Sequence, residues 1–206
     1  MTGLFAPAAE RNKGPILDAL QRFLPPVGAV LEIASGTGQH VVHFAHRLEH
    51  LTWIPSDVSA DARRSIQGWL SAERLPNVRP PLELDVRDRP WPVDIELNAI
   101  VCINLIHIAP WSVTPALFAG ARDELADQGV VYLYGPYKQQ GRHTALSNEA
   151  FDRSLRAQDP DWGVRNLEDV VGTARTAGLD HVETVNMPAN NLSLIFRKRP
   201  HAQNAG

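Results

Sequence analysis

The stretch LEIASGTGQH, residues 31–40, narrows the possible folds of this chain more than any other. Its apolar first half predicts the end of a buried strand, and Gly36 and Gly38 predict a tight turn into a helix. A strand, a Gly-x-Gly turn and a helix together form a ligand site at the helix N-terminus. Glu32 lies within the apolar strand, where a carboxylate is costly unless a cation or strong donors meet it. The stretch therefore predicts a ligand with a positive group.

Strand and helix signals alternate along most of the chain, which is typical of a mostly parallel α/β sheet. Five apolar strands are expected, namely AVLEIA, LTWIPSD, PLELDV, NAIVCINLI and VVYLYG. Two more, HVETVNM and LSLIFRK, are joined only by PANN, too short a link for a helical crossover. We therefore expect a seven-stranded sheet with an antiparallel hairpin at one edge and helices on both faces.

The expected organisation is a single domain over residues 1–206. The polar start should be irregular until Pro15 opens a helix, so that residues 1–26 form an N-terminal lid and helix. Residues 135–165 should form an insertion on the substrate side of the sheet, because they follow a strand end and are rich in polar residues. Gly129 should end the helix that precedes the fifth strand.

Charge and composition limit the partners. The net charge of −3 and the lack of a long basic stretch argue against duplex nucleic acid, and no long apolar segment or leader pattern suggests a membrane. Cys102 is the only cysteine, so neither an intramolecular disulfide nor a cysteine-based zinc cage is expected. We expect a soluble, cytoplasmic protein whose oligomeric state the sequence leaves open.

The glycine turn distinguishes two cofactor classes. A nicotinamide dinucleotide site needs a third glycine, but Val41 stands there, and Glu32 would repel a phosphate. The pattern of Glu32, Ala34, Gly36 and Gly38 instead resembles the first motif of class I S-adenosylmethionine-dependent methyltransferases, with Ala34 in place of the usual glycine. The resemblance implies a Rossmann-like fold with S-adenosylmethionine as cofactor, and Glu32 near the ammonium of its methionine end.

Further strand ends fit that resemblance. Asp57 follows Gly36 by 21 residues, where such folds place the acid that binds ribose. The resemblance also implies that Asp85 and the backbone of Val86 bind adenine, and that Asn104 to His107 line the sulfonium and substrate side.

The resemblance extends to the methyltransferase-like 26 family. It is carried by AERNKGPIL, LEIASGTGQH, WIPSD, and YGPY followed by SNEAFDRSLRAQDPDWGVR, which together span nearly the whole chain. We expect methyl transfer to a small-molecule acceptor of unknown identity. The alternatives are a S-adenosylmethionine-binding sensor or interaction protein without turnover, and a methyltransferase acting on protein or RNA.

The other candidate residues surround the expected acceptor site. His107 and Tyr137 are the candidate catalytic residues, with His107 a possible general base or a structural histidine. Arg11 and Asn12 could reach the carboxylate of the cofactor from the N-terminal run. We expect a closed acceptor pocket bounded by these four residues together with Trp162 or Arg165.

Four histidines fall on one side of the helix that follows the glycine turn. They are His40, His43, His46 and His50, and a water-facing polar surface is favoured over a metal site. His40 differs from the others because it lies in the first turn after the glycines, where a ligand would bind. No metal is expected.

Overall fold

The computed structural model describes residues 3–200, and a seven-stranded sheet forms the centre of that range. Its strands are β1 (Gly28–Ile33), β2 (Leu51–Asp57), β3 (Leu82–Glu83), β4 (Leu97–Ile103), β5 (Leu125–Gly135), β9 (Leu179–Met187) and β10 (Asn191–Lys198). Three short strands, β6 (Tyr137–Gln139), β7 (Arg142–His143) and β8 (Arg165–Asn166), form a second sheet. The helices are α1 (Pro7–Leu20), α2 (Gln39–Arg47), α3 (Ala60–Glu73), α4 (Val113–Glu124), α5 (Leu146–Gln158) and α6 (Leu167–Thr176).

The strand order is β3-β2-β1-β4-β5-β10-β9. The five strands β1 to β5 are parallel, whereas β10 runs antiparallel to both β5 and β9. The predicted fold class is therefore confirmed. The chain winds outward from β1 to β3 and then returns to β4 on the other side of β1. Ligands of open α/β sheets bind at such a reversal, beyond the carboxyl ends of the strands.

Each face of the sheet is covered by its own apolar layer. Leu31 belongs to the layer that includes α4 and α6, whereas Val30 belongs to the layer that includes α1, α2 and α3. Successive strand side chains point to opposite faces, so Glu32 shares the face of Val30. The side chain of Glu32 therefore points toward the layer that contains α1, α2 and α3.

The first helix begins earlier than its sequence pattern indicates. The sequence predicts an irregular start until Pro15, but α1 begins at Pro7 and contains Pro15. A proline is tolerated at the first helical position, because an N–H there would have no hydrogen-bond acceptor within the helix. The buried side chains of Ile16 and Leu20 hold the second half of α1 against the sheet. The run AERNKG is therefore helical.

Two further element ends differ from the prediction. The third strand is limited to Leu82–Glu83, because only these two residues pair with β2. Gly129 does not end α4, which stops at Glu124; it lies inside β5, where the register against β4 shifts. The chain between Leu125 and Val130 bulges out of the ladder at that point, which a β-bulge permits.

The predicted insertion contains the second sheet and α5. β6 pairs with β7 in antiparallel and with β8 in parallel orientation, so both ends of the insertion meet in one small sheet. None of the helices within residues 3–200 has the length and the apolar composition that a membrane crossing requires.

Candidate functional site

The glycine turn joins β1 to α2 with three residues in the left-handed region. Ala34, Gly36 and Gly38 have φ angles of 55°, 55° and 88°. A Cβ on Gly38 would lie 3.0 Å from the Cα of Ile66 in α3, whereas a Cβ on Gly36 would meet no atom within 4 Å. Gly38 therefore allows close packing of the turn against α3, and Gly36 leaves open space beside the backbone, where a ligand can approach.

Glu32 is the most unusual group at this end of the sheet. Its side chain is 1% exposed, and Oε2 has no hydrogen-bond partner among residues 3–200. The pKa of Glu32 is raised to about 8, mainly by burial and to a smaller extent by the neighbouring Asp57, while a hydrogen bond with Ser35 opposes the shift. A buried carboxyl group without a partner is costly. The site is therefore suited to a ligand that brings a cation or a donor.

Asp57 ends β2 beside the glycine turn. Its Oδ2 accepts a hydrogen bond from the amide of Gly36 at 3.0 Å, and its Oδ1 accepts one from the amide of Ser59 at 2.8 Å. These bonds fix the turn against the end of β2. Each carboxylate oxygen keeps further acceptor capacity, so the predicted role of Asp57 in binding ribose stays a prediction that this geometry permits.

An apolar cavity of about 240 Å³ lies beside these strand ends. It is lined by Ile33, Ala34, Val58, Leu84, Asp85, Val86, Arg87, Leu105, Ile108, Ala109, Pro110, Val113 and Trp162. Asp85 is paired with Arg87, whose Nη2 lies 2.5 Å from Oδ2, and this hydrogen bond lowers the pKa of Asp85. The cavity therefore has apolar walls with one carboxylate at its edge, which suits a flat ring that carries a polar group.

The N-terminal segment is fastened over the start of α2. Nε2 of His40 lies 2.8 Å from Oδ1 of Asn12, and Nε2 of Gln39 donates to Glu10 at 3.1 Å. The amide of Ala6 donates to Oε1 of Gln39 at 2.5 Å. Burial lowers the pKa of His40 to about 4, so its ring is neutral at pH 7. The segment thus covers the helix end that follows the glycines.

Arg11 and Asn12 occupy different environments although they are neighbours in sequence. Asn12 is half-buried against His40, whereas Arg11 is exposed and has no ion pair or hydrogen bond within residues 3–200. Gln39 is a contact residue that the sequence interpretation missed. Its position as the first helical residue after Gly38 was the available signal.

The end of β4 leads into a buried histidine. Asn104 has a φ of 63° and donates its amide to the carbonyl of Tyr134 at 2.8 Å. His107 and Tyr137 are both completely buried, with ring centroids 5.0 Å apart. The pKa of His107 is lowered to about 3, mainly by burial and to a smaller extent by the guanidinium of Arg165. Neither Nε2 of His107 nor the hydroxyl of Tyr137 has a hydrogen-bond partner in the described part of the chain.

The residues expected to enclose an acceptor do not surround one cavity. Arg11 is exposed, His107 and Tyr137 are buried under the insertion, and Trp162 lines the apolar cavity described above. The predicted closed pocket is therefore not formed by these residues in this structure. The reason is that the end of the insertion packs against the residues that follow β4, where the amide of Gly163 donates to the carbonyl of His107.

The sequence model of the family described as "Protein of unknown function (DUF938)" matches residues 4–198 of the chain. The chain belongs to the DUF938 family. Because that family description carries no activity, the comparison with solved structures adds information on the fold alone.

The solved structures that resemble the DUF938 chain include several methyltransferases. An O-methyltransferase family protein from Burkholderia thailandensis has a TM-score of 0.79 at 16% identity, with 94% of this chain and 58% of that chain covered. Human N-acetylserotonin methyltransferase in complex with S-adenosylmethionine has a TM-score of 0.79 at 13% identity, with 94% and 53% covered. CalO1, a methyltransferase of calicheamicin biosynthesis bound to S-adenosylhomocysteine, has a TM-score of 0.77 at 14% identity, with 93% and 54% covered. The DUF938 chain thus has the Rossmann-like methyltransferase fold and spans little more than half the length of these proteins.

The histidines of α2 do not act as one group in the DUF938 chain. His40 is buried, His43 is half-buried, and His46 is exposed with Nε2 3.1 Å from Oε2 of Glu73. Within residues 3–200, no group of three or more histidine, cysteine or acidic side chains has an arrangement that could hold a metal ion.

Asp152 is a second residue that the sequence interpretation missed. Its carboxylate accepts the amide of Val164 at 2.7 Å and lies 3.0 Å from Lys138, 3.2 Å from His143 and 3.3 Å from Arg156. These contacts attach α5 to β6 and β7 of the second sheet and to the segment before β8. No sequence motif indicates such a cluster, because only the fold brings its members together.

Proposed function

We propose that this protein binds S-adenosylmethionine and transfers its methyl group to a small-molecule acceptor. The observation that carries the proposal is the buried, unpartnered Oε2 of Glu32 beside the glycine turn. An ammonium group donates a hydrogen bond to this oxygen and balances the charge of the ionised carboxylate. S-adenosylmethionine carries an ammonium group at its methionine end. A phosphate-bearing dinucleotide brings the opposite charge.

The remaining parts of the site fit the same ligand. Gly36 leaves space beside the backbone, and the carboxylate of Asp57 keeps acceptor capacity for hydroxyl groups. The apolar cavity bounded by Asp85 and Val86 matches a flat base with an exocyclic amine. In this proposal the cofactor-binding residues are Glu32, Ala34, Gly36, Gly38, His40, Asp57, Asp85, Val86, Asn104 and Asn12. Arg11, which the sequence also suggested, is exposed and has no ion pair or hydrogen bond among residues 3–200.

The chain's own contribution to the reaction is mainly alignment and exclusion of water. When bound, the cofactor supplies an electrophilic methyl group on a sulfonium. Well-oriented reactants gain roughly 7–11 kcal/mol from positioning, so a covalent intermediate with the protein is not needed. The predicted catalytic roles of His107 and Tyr137 require the insertion to open, because both side chains are fully buried. While His107 is buried its pKa is about 3, so it does not take up a proton at pH 7 in the closed state.

Two observations favour a small-molecule acceptor. The structural relatives include a family 2 O-methyltransferase in complex with apigenin, and human N-acetylserotonin methyltransferase. The net charge of −3 offers no attraction to nucleic acid. The resemblance to the methyltransferase-like 26 family, a cytoplasmic location and a single domain with an N-terminal lid belong to the same proposal.

Isothermal titration tests the cofactor. We expect saturable binding of S-adenosylmethionine and S-adenosylhomocysteine, and none of NAD. Saturable NAD binding without a S-adenosylmethionine signal would overturn the proposal.

The acceptor class needs a separate assay. The protein is incubated with methyl-labelled cofactor and, in parallel, with a metabolite extract, RNA and protein. Label in the metabolite fraction is expected. Label confined to RNA or protein would reject the small-molecule class, and cofactor binding without transfer to any fraction would favour the sensor alternative.

A further inference from the structure

Two segments that are distant in sequence contribute to the wall of the apolar cavity, beside the strand ends described above. Leu105, Ile108, Ala109 and Pro110 come from the segment that follows β4, whereas Trp162 comes from the end of the insertion. The width of the cavity therefore depends on how these two segments are held together.

One guanidinium group joins the two segments. Nε of Arg165 donates to the carbonyl of Ile106 at 2.8 Å, and Nη2 donates to the carbonyls of Ala109 at 2.6 Å and Asp161 at 2.8 Å. Two of these carbonyls belong to the segment after β4, and the third belongs to the residue before Trp162. The planar fork of arginine suits such a role, since its donors have fixed relative directions.

Backbone bonds at the same place add to the connection. The amide of Gly163 donates to the carbonyl of His107 at 2.9 Å, and the amide of Arg165 lies 3.4 Å from Nδ1 of the same histidine. A Cβ on Gly163 would lie 2.7 Å from Oδ1 of Asp152, so only glycine fits between α5 and this junction. Asp152 in turn accepts the amide of Val164. The insertion is thus attached to the cavity wall through residues 163–165.

We propose that Arg165 is a positioning residue that sets the adenine side of the cofactor site, by holding the segment after β4 against the end of the insertion. This inference rests on the proposed function, because it assumes that the apolar cavity receives the adenosine part of the cofactor. It differs from the role that the sequence suggested, in which Arg165 contacts the acceptor. All of the hydrogen bonds found for its side chain go to backbone carbonyls.

The affinities of Arg165→Met for S-adenosylhomocysteine and for adenosine test the role. We expect both affinities to fall by the same factor, about 2- to 30-fold, as is usual for residues that act through their neighbours. Arg165→Lys keeps the charge but lacks the planar guanidinium group with its several donors. Its affinities should lie between those of the wild type and of Arg165→Met. Arg153→Met is the matched control, since Arg153 lies in the same insertion and its guanidinium pairs with Glu149 on the surface of α5, with no other partner in residues 3–200. It should bind like the wild type.

Wild-type hydrogen–deuterium exchange supplies a readout that needs no variant. Addition of S-adenosylhomocysteine should protect the amides of residues 104–110 and 161–166 together. Protection confined to 104–110, or unchanged affinity in folded Arg165→Met and Arg165→Lys, would overturn the inference. A wild-type protein that binds neither S-adenosylhomocysteine nor adenosine would instead contradict the proposed function, so the two failures are distinguishable.

Discussion

Binding of a cationic ligand at Glu32 should release a proton from the protein. In the free protein the pKa of Glu32 is about 8, so about 0.9 of the molecules carry a proton on this group at pH 7. An ammonium placed beside the carboxylate favours its charged form and lowers the pKa. If the pKa in the complex falls below 5, binding at pH 7 releases about 0.9 proton, and affinity rises roughly ninefold between pH 6 and pH 7.

The same group affects the stability of the free protein. The folded-state pKa of Glu32 lies above its ordinary value of 4.5, so the folded state binds the extra proton between pH 4.5 and pH 8. This contribution to stability is fully present below pH 4.5 and is lost as pH rises toward 8. At pH 7 the loss amounts to about 3 kcal/mol, from 2.5 pH units at about 1.4 kcal/mol each. Glu32→Gln, which cannot ionise, should be free of this loss.

Titration calorimetry in buffers of different ionisation enthalpy measures the released proton directly. Wild type and Glu32→Gln are titrated with S-adenosylhomocysteine at pH 6 and pH 7, and their unfolding by urea is compared at both pH values. Glu32→Gln should release no proton from this site, bind more weakly and lose less stability between the two pH values. A wild type that binds without proton release and with equal affinity at both pH values would refute the assignment of Glu32 as the cation partner.

Two further substitutions test the surroundings of Glu32 and the packing of His107. Asp57→Ala removes the acceptor of the Gly36 and Ser59 amides and should weaken S-adenosylhomocysteine binding by about 1.5–3 kcal/mol in calorimetry; unchanged affinity would contradict its place in the site. Gly135→Ala puts a Cβ 2.4 Å from Nε2 of His107 and should destabilise the fold by about 1–3 kcal/mol in urea unfolding. In a His107→Ala background Gly135→Ala should cost less stability than in the wild type, and an equal cost in both backgrounds would show that the clash is elsewhere.

Local sequence signals were sufficient for the sheet and for the glycine turn. Apolar strands, their alternation with helices and the short PANN link predict the parallel sheet and its edge hairpin, because each signal lies within one element. Glu32 was found in the same way, since one acid in an apolar strand is visible without knowledge of the fold. The start of α1 was predicted too late, because a proline usually marks the first turn or the end of a helix. Pro15 lies inside α1 because neighbouring side chains of this helix pack against the sheet.

The surroundings of the site depend on long-range contacts that no local pattern contains. Asp152 gathers partners from β6, β7 and the segment before β8, and Arg165 reaches carbonyls more than fifty residues away along the chain. His107 has the sequence appearance of an accessible base at a strand end, yet the insertion buries it completely. The packing of the chain decides which polar side chains a ligand can reach. It also decides which of them are already hydrogen-bonded to backbone carbonyls.

Asn12 and Arg11 offer a matched pair for testing how the N-terminal helix serves the cofactor site. The sequence assigned both to the cofactor, but in this structure only Asn12 contacts the start of α2, through His40. Asn12→Ala removes the hydrogen bond with His40, worth about 0.5–1.5 kcal/mol, together with the contact to the hydroxyl of Tyr134, so S-adenosylhomocysteine should bind at least about 2- to 12-fold more weakly if α1 must stay in place over the turn. Arg11→Ala removes an exposed side chain without a partner in residues 3–200 and should leave affinity unchanged. Both variants keep the core contacts of Ile16 and Leu20, unlike a deletion of residues 1–13, so lost affinity cannot be attributed to unfolding of α1. If Arg11→Ala weakens binding and Asn12→Ala does not, the guanidinium reaches the bound ligand and α1 contributes a charge rather than a cover.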